Sequence, residues 1–398
     1  MNIGSKHAIR FLTLLASIFS AFVFADFLPY EVRSYSYAVS LSIKETLVFT
    51  LPFIVFSIVF QSTSKLRGSN AVKVVLLLLT MVMLSNSLSI GVAHLVGKFG
   101  AAHLAPNLVY TDALSSEGLV PKFTMQLPSV ISSIKAVLLG FICGMVLPRI
   151  MGKTSARLSE TLARISVFVL ENILVPVLPV FVVGLVFKMQ SDNLIGLLLS
   201  NAKVALFLFG IALLHVFLLY MLASGFSVLR ALQKLRDMLP TALFAFTTMS
   251  SLITMPVILK AVKKNSNDPE LMDIAVPTAL NVHLVGDCFF MIVMSIVIAL
   301  AFNGAEPVSL ASYIYFLLYF LISKFAVVAI PGGGIIVMIP IIEQYLNFSP
   351  TMLSLITTLY FVFDPAITAV NVMGNGAFTM LFSKTYTKLF KKEARETK

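Results

Sequence analysis

Apolar runs long enough to cross a bilayer recur from one end of this 398-residue chain to the other, and that pattern leaves few folds open. A span needs about 20 mostly apolar residues. Lipid offers no hydrogen-bond partners, so a chain built of such runs must satisfy its backbone inside helices. Composition agrees: 58% of the residues are hydrophobic and 12% charged, against about 25% charged in a soluble domain. The chain reads as one all-α integral membrane domain over 1–398, with little room for a soluble one. Its net charge of +11 does not signal nucleic acid, because the basic residues sit in short clusters between apolar runs rather than on an extended basic surface. Cys143 and Cys288 lie inside apolar segments and form neither a metal-binding spacing nor a disulfide framework.

Ordinary spans are expected near 8–28, 44–63, 71–97, 129–149, 158–188 and 196–224. Lys6 and Arg10 precede the first, and the bulky stretch Phe22–Phe27 lacks a small-residue cleavage site, so this segment reads as a retained helix and not a signal peptide. Basic residues fill alternate gaps: Lys6 and Arg10; Lys65, Arg67 and Lys73; Arg149, Lys153, Arg157 and Arg164; Arg230, Lys234 and Arg236. The positive-inside rule places these in the cytoplasm. The other gaps carry Glu31, Asp112, Glu117 and Asp192.

The C-terminal half is less regular. The apolar run Leu239–Leu259 has basic clusters on both sides, Arg230, Lys234 and Arg236 before it and Lys260, Lys263 and Lys264 after it, so a single crossing would put one cluster outside. Midway it contains Thr247-Thr248-Met249-Ser250-Ser251, with Pro256 just beyond. A hairpin that enters and leaves from the cytoplasm is expected. From Ser309 to Phe348 the run is interrupted by Ile330-Pro331-Gly332-Gly333-Gly334. Three consecutive glycines weaken a membrane helix, and Glu306 just before the run and Glu343 near its end come without a basic cluster, so a second hairpin opening outward is expected. A span from Leu271 to Phe302 lies between the hairpins, and one from Thr351 to Phe382 follows them. The organisation is then six N-terminal helices over 1–225, a core of hairpin, helix, hairpin and helix over 226–384, and a basic tail at 385–398, with both termini cytoplasmic in the cell (inner) membrane.

Two interrupted segments of opposite orientation, each followed by a polar-spotted span, form the inverted-repeat pattern of secondary transporters. Asp364, Thr368, Asn371 and Asn375 step by four, three and four residues and share one helical face. Interhelical hydrogen bonding explains Thr and Asn on such a face. It explains an aspartate poorly, since a charge at a helix centre costs roughly 2.5–3.5 kcal/mol on insertion. The preceding span carries Asn281, His283 and Asp287. An enzyme is disfavoured, since the histidines His7, His94, His103, His215 and His283 are scattered and no nucleophile–base pair stands out. A channel and a carrier-derived sensor stay open.

At these residues the chain resembles the dicarboxylate/amino acid:cation symporter family, the glutamate-transporter family, most strongly from about Thr241 to Lys384. Asp364-Pro-Ala-Ile367-Thr368-Ala-Val-Asn371-Val372-Met-Gly374-Asn375 is similar, spacing kept, to that family's Asp-x-x-Arg-Thr-x-x-Asn-Val-x-Gly-Asp signature. Thr248 to Pro256 resembles the serine-rich first hairpin tip, and Pro331-Gly332-Gly333-Gly334 the second. The resemblance implies eight transmembrane helices plus two re-entrant hairpins and an elevator-type homotrimer, with helices 1, 2, 4 and 5 as scaffold. It implies a substrate site of Ser250, Ser251, Ile330, Gly333, Gly334, Asp364, Ile367, Thr368 and Asn371, with Asp364 on the ammonium and Thr368 and Asn371 near the carboxylate. It implies coupling through Asn281, His283, Asp287, Asn371 and Asn375, and no cofactor beyond Na+ or H+.

The departures narrow the function. Ile367 stands where members taking acidic substrates carry arginine, and it cannot pair a second carboxylate, so a neutral amino acid or related solute is expected. Asn375 replaces a cation-binding aspartate. In the preceding span the family's Asn-Met-Asp-Gly-Thr run is absent: one register puts His283 at its aspartate, the other puts Val285 there and Asp287 at its threonine. Fewer anionic ligands weaken a sodium site. Weak sodium dependence is therefore expected, with uptake driven by a proton gradient, for which His283 and Asp287 supply exchangeable groups, or by uncoupled exchange; sodium at lower affinity stays open, as does a sodium-coupled dicarboxylate or glutamate symporter of the usual type.

Overall fold

The computed structural model describes residues 3–64, 69–101, 110–111, 119–128, 131, 133–191, 195–266, 268–303, 309–327 and 332–391. Its ordered elements are helices, apart from a two-residue parallel pairing of Tyr110–Thr111 with Phe302–Asn303. The α-helices in chain order are α1 (Ile3–Phe24), α2 (Tyr30–Ser64), α3 (Ser69–Leu95), α4 (Ser133–Met151), α5 (Lys153–Val169), α6 (Val175–Ser191) and α7 (Ile195–Ala223). They continue with α8 (Val228–Thr248), α9 (Ser251–Lys264), α10 (Pro269–Ala279), α11 (Val285–Ala301), α12 (Leu310–Ser323), α13 (Gly333–Leu346) and α14 (Pro350–Tyr386). Among the described residues, four helices are long and apolar enough to cross a membrane, or five if one bent pair counts as a single span.

The outer helices turn large apolar side chains outward. On α7, Leu206, Leu213, Leu214 and Leu218 are all exposed. A stripe of this kind is a liability in water and an ordinary surface in lipid. Close packing of α2 on α4 rests on Gly140 and Gly144, one helical turn apart: a Cβ at the first would meet Val59 and the Phe56 carbonyl, and at the second Thr63 and the Phe60 carbonyl. Small residues at this spacing let membrane helices approach backbone to backbone.

The centre of the molecule is α14. Most of its apolar stretch is buried, and α6, α7, α8, α10, α11 and α13 pack against it. Its start is fixed by the Ser349 hydroxyl, which accepts the Met352 N–H at 3.3 Å, with Pro350 at the first helical position. This element matches the span expected at 351–382.

Two expected straight spans are not straight. The one near 158–188 is a pair, Lys153–Leu174 and Pro176–Ser191, meeting at 48°. Pro176 lacks the N–H that would bond back one turn and its ring crowds that turn, which forces the bend. The span from Leu271 to Phe302 is broken, with Leu280–Leu284 unwound between α10 and α11. The helix interruptions expected near Ser250 and before Gly333 are present. Met249, in the left-handed region at φ 49°, ends α8, and Ser250 is extended before α9. Gly332, at φ 71°, precedes α13.

Candidate functional site

The first interruption is closed by its own hydroxyls. The Thr248 hydroxyl donates to the Phe244 carbonyl at 3.0 Å and lies 3.3 Å from the Thr254 hydroxyl, while Thr254 donates to the Ser250 carbonyl at 2.9 Å. Ser250 and Ser251 are buried at the N-terminus of α9, and α8 and α9 both pack on α14. At the second interruption, Gly333 and Gly334 are the buried first residues of α13. Ile330 lies outside the described residues.

Asp364 faces the second interruption. Its Oδ2 accepts the Gly332 N–H at 2.8 Å, and its Oδ1 accepts the Thr368 hydroxyl at 3.2 Å. The carboxylate thus caps the unpaired N–H at the approach to α13, where an anion is favoured. Asp364 is 2% exposed, and among the described residues no cation pairs with it.

Asn371, about two turns beyond Asp364 on α14, holds the break in the neighbouring span. Its Oδ1 accepts the Gly286 N–H at 2.8 Å and the Asp287 N–H at 3.4 Å, and its Nδ2 donates to Asp287 Oδ2 at 2.7 Å. These are orphan donors at the start of α11, so the asparagine side chain takes the place of the missing preceding turn. Ile367, fully buried, sets its carbonyl against Gly286, where any Cβ would collide. Asp287 Oδ1 accepts the Tyr360 hydroxyl at 2.8 Å. Gly334 closes on this group: a Cβ there would run into Asp287 Oδ1 and the Tyr360 hydroxyl. Asp287 therefore joins α11, α13 and α14, close to Asn371 and Gly334.

His283 sits elsewhere. Its Nε2 lies 2.8 Å from the Ser85 hydroxyl on α3, and its ring stacks on Phe378 at 4.4 Å between centroids. Asn86 Nδ2 donates to the Val282 carbonyl at 2.7 Å, and its Oδ1 accepts the Leu284 N–H at 3.4 Å. The unwound stretch is thereby paired from α3, as non-helical backbone at membrane depth requires. Asn281 is half-buried in the same stretch. Asn375 Nδ2 donates to the Asn371 carbonyl within its own helix at 3.0 Å, and its Oδ1, fully buried, has no partner among the described residues. Among the described residues no three His, Cys, Asp or Glu side chains gather as metal ligands do.

Sequence reasoning passed over Ser85, Asn86, Tyr360 and Lys324. Tyr360 was legible, since it continues the face of Asp364 and Thr368 one turn earlier. Lys324 was legible too, as a lone basic residue inside an apolar run. It is fully buried, with its Nζ 3.9 Å from Asp287 Oδ1. Ser85 and Asn86 carry no such signal, because hydroxyl and amide side chains are common in membrane helices.

A family model for the "Sodium:dicarboxylate symporter family" matches residues 11–385. Similar curated proteins include the C4-dicarboxylate transport protein of Pectobacterium atrosepticum, 23% identical over 297 residues, which are 72% of this chain and 68% of that protein. Another is C4-dicarboxylate transport protein 2 of Pseudomonas paraeruginosa, 24% identical over 59% of this chain and 54% of its own length. The C4-dicarboxylate transport protein of Serratia proteamaculans is 23% identical over 73% of this chain and 69% of its own. With the match running across nearly the whole chain and the interrupted helices gathered on α14, the chain belongs to the sodium:dicarboxylate symporter family, a family of secondary transporters and not of enzymes.

Proposed function

We propose that this protein is a secondary active transporter of a small neutral amino acid or related zwitterion. The observation that carries the reading is Asp364: a buried carboxylate that, among the described residues, is held by the neutral donors Gly332 N–H and Thr368 Oγ1 and by no cation. Such a group calls for a cation to make its burial favourable, and a substrate ammonium is one that can come and go. Ser250 and Ser251 at the start of α9 supply the donors suited to the substrate carboxylate, while the Thr368 hydroxyl is already given to Asp364. Asn371 acts by holding Gly286 and Asp287 in place.

The rest of the reading follows the same residues. α8 with α9 and α12 with α13 are two re-entrant hairpins, and with eight spans they make a multi-pass protein of the cell membrane with both termini cytoplasmic. The hairpins and α14 move as an elevator within a homotrimer, and Gly333 and Gly334 close the outer lid. Coupling is to protons, or the protein exchanges solutes without an ion. Asn375 and His283 carry no negative charge for a sodium ion.

A dicarboxylate is the second reading, favoured by the names of the similar proteins. Ile367 gives a second carboxylate no partner, and Asp364 would repel a dianion. Uptake of labelled alanine, serine, leucine, glutamate and succinate into proteoliposomes under sodium, proton and null gradients decides between them. Neutral amino acids are expected to enter and to compete with one another, with little change when choline replaces sodium. Glutamate or succinate outcompeting them would overturn the reading.

A further inference from the structure

Lys324 takes no part in the substrate site just described. It stands at the end of α12, in the short turn Lys324–Ala326, and is fully buried. Its Nζ lies 4.0 Å from the centroid of the Phe320 ring, one turn earlier on the same element, and 3.9 Å from Asp287 Oδ1 on α11. The ammonium makes no hydrogen bond to any described residue. Among the described residues, the Asp287 carboxylate and the Phe320 ring face are what compensates an ammonium buried in this way.

The opposite partner is equally constrained. Asp287 is 2% exposed, and its oxygens already accept the Tyr360 hydroxyl and the Asn371 amide, at 2.8 and 2.7 Å. Both donors are neutral, so Asp287 needs one positive charge, and Lys324 is the cation within reach among the described residues. A second cation drawn to the same carboxylate would meet the ammonium at close range and be repelled.

We propose that the Lys324 ammonium is a built-in cation, occupying between the second hairpin and α11 the place at Asp287 that an exchangeable inorganic cation would otherwise fill. A tethered charge neutralises Asp287 as that hairpin closes, yet it cannot be released on the far side of the membrane. It therefore balances charge without coupling to a sodium gradient. The inference rests on the transporter reading for its consequence, but its test needs no transported solute.

The test follows thermal unfolding of the purified full-length protein while NaCl replaces choline chloride at constant ionic strength, with LiCl and methylammonium chloride as parallel probes. The unmodified protein is expected to show no cation-selective shift. Lys324→Ala, which leaves both a charge and a space at Asp287, is expected to gain a saturable rise of about 2 °C or more in midpoint with at least one of the three cations. Lys324→Ala/Asp287→Asn is expected to lose that rise. Overturning results are an equal saturable shift in the unmodified protein, no shift in folded Lys324→Ala, or a shift that survives in the double variant. Should Lys324→Ala alone fail to fold, recovery of folding in the double variant supports charge pairing, and continued failure overturns it. Failed uptake in the liposome panel would refute the transporter reading and leave these outcomes untouched.

Discussion

Asp364→Asn separates a substrate-binding carboxylate from a structural one. The side chains are nearly the same shape, and an asparagine oxygen still accepts one of the two bonds that Asp364 receives from Gly332 N–H at 2.8 Å and Thr368 Oγ1 at 3.2 Å. A hydrogen bond to a charged group contributes about 1.5–3 kcal/mol and a neutral one about 0.5–1.5 kcal/mol, so the contact to the second hairpin weakens by about 1 kcal/mol. The larger loss is the ammonium partner. Removing one member of a desolvated charge pair costs about 2–5 kcal/mol, which is a rise in Kd of roughly 30-fold to several thousand-fold. The substrate-free protein should behave in the opposite sense. A buried carboxylate with no cation beside it among the described residues is gone, so its unfolding midpoint should hold or rise. The assay is equilibrium binding, and then uptake, of whichever of alanine, serine and leucine enters best, alongside thermal unfolding without substrate. Binding within threefold of the unmodified protein, or a fall in substrate-free stability as large as the binding loss, would refute the reasoning.

Two further substitutions test the surroundings of the site. Gly334→Ala places a methyl group against Asp287 Oδ1 and the Tyr360 hydroxyl; overpacking costs about 1–3 kcal/mol, so the KM for uptake should rise roughly 5- to 150-fold, and an unchanged KM would deny the close approach. Asn86→Ala strips the Val282 carbonyl and the Leu284 N–H of their partners on α3, at about 1–3 kcal/mol for the buried groups left unpaired; the midpoint of thermal unfolding in detergent should fall, and a midpoint equal to that of the unmodified protein would show that the unwound stretch is held by something else.

The stepping of Asp364, Thr368, Asn371 and Asn375 made the polar face of α14 readable in advance, because helical periodicity is local and needs no knowledge of neighbours. The helix breaks were readable for the same reason. A run of glycines, or hydroxyls followed by proline, weakens a helix wherever it is placed. The break at Leu280–Leu284 was less readable, since Asn281 and His283 are compatible with a continuous helix and the unwound backbone is stabilised by Ser85 and Asn86, nearly 200 positions away. Proline at 176 was visible, but the 48° bend it produces was not, because the angle depends on what the two segments pack against.

What the sequence determined by itself was the class and the inventory: apolar runs that need lipid, segments that cannot stay helical, and a handful of residues too costly to bury without purpose. What only the tertiary structure decided was who partners whom. Asn371 serves Gly286 and Asp287, His283 turns to Ser85 and Phe378, and Lys324 reaches Asp287 across 37 positions of chain. Pairings of this kind depend on the docking of separate helices, and a charge buried among them is neutral or costly according to a few ångströms that no local pattern encodes.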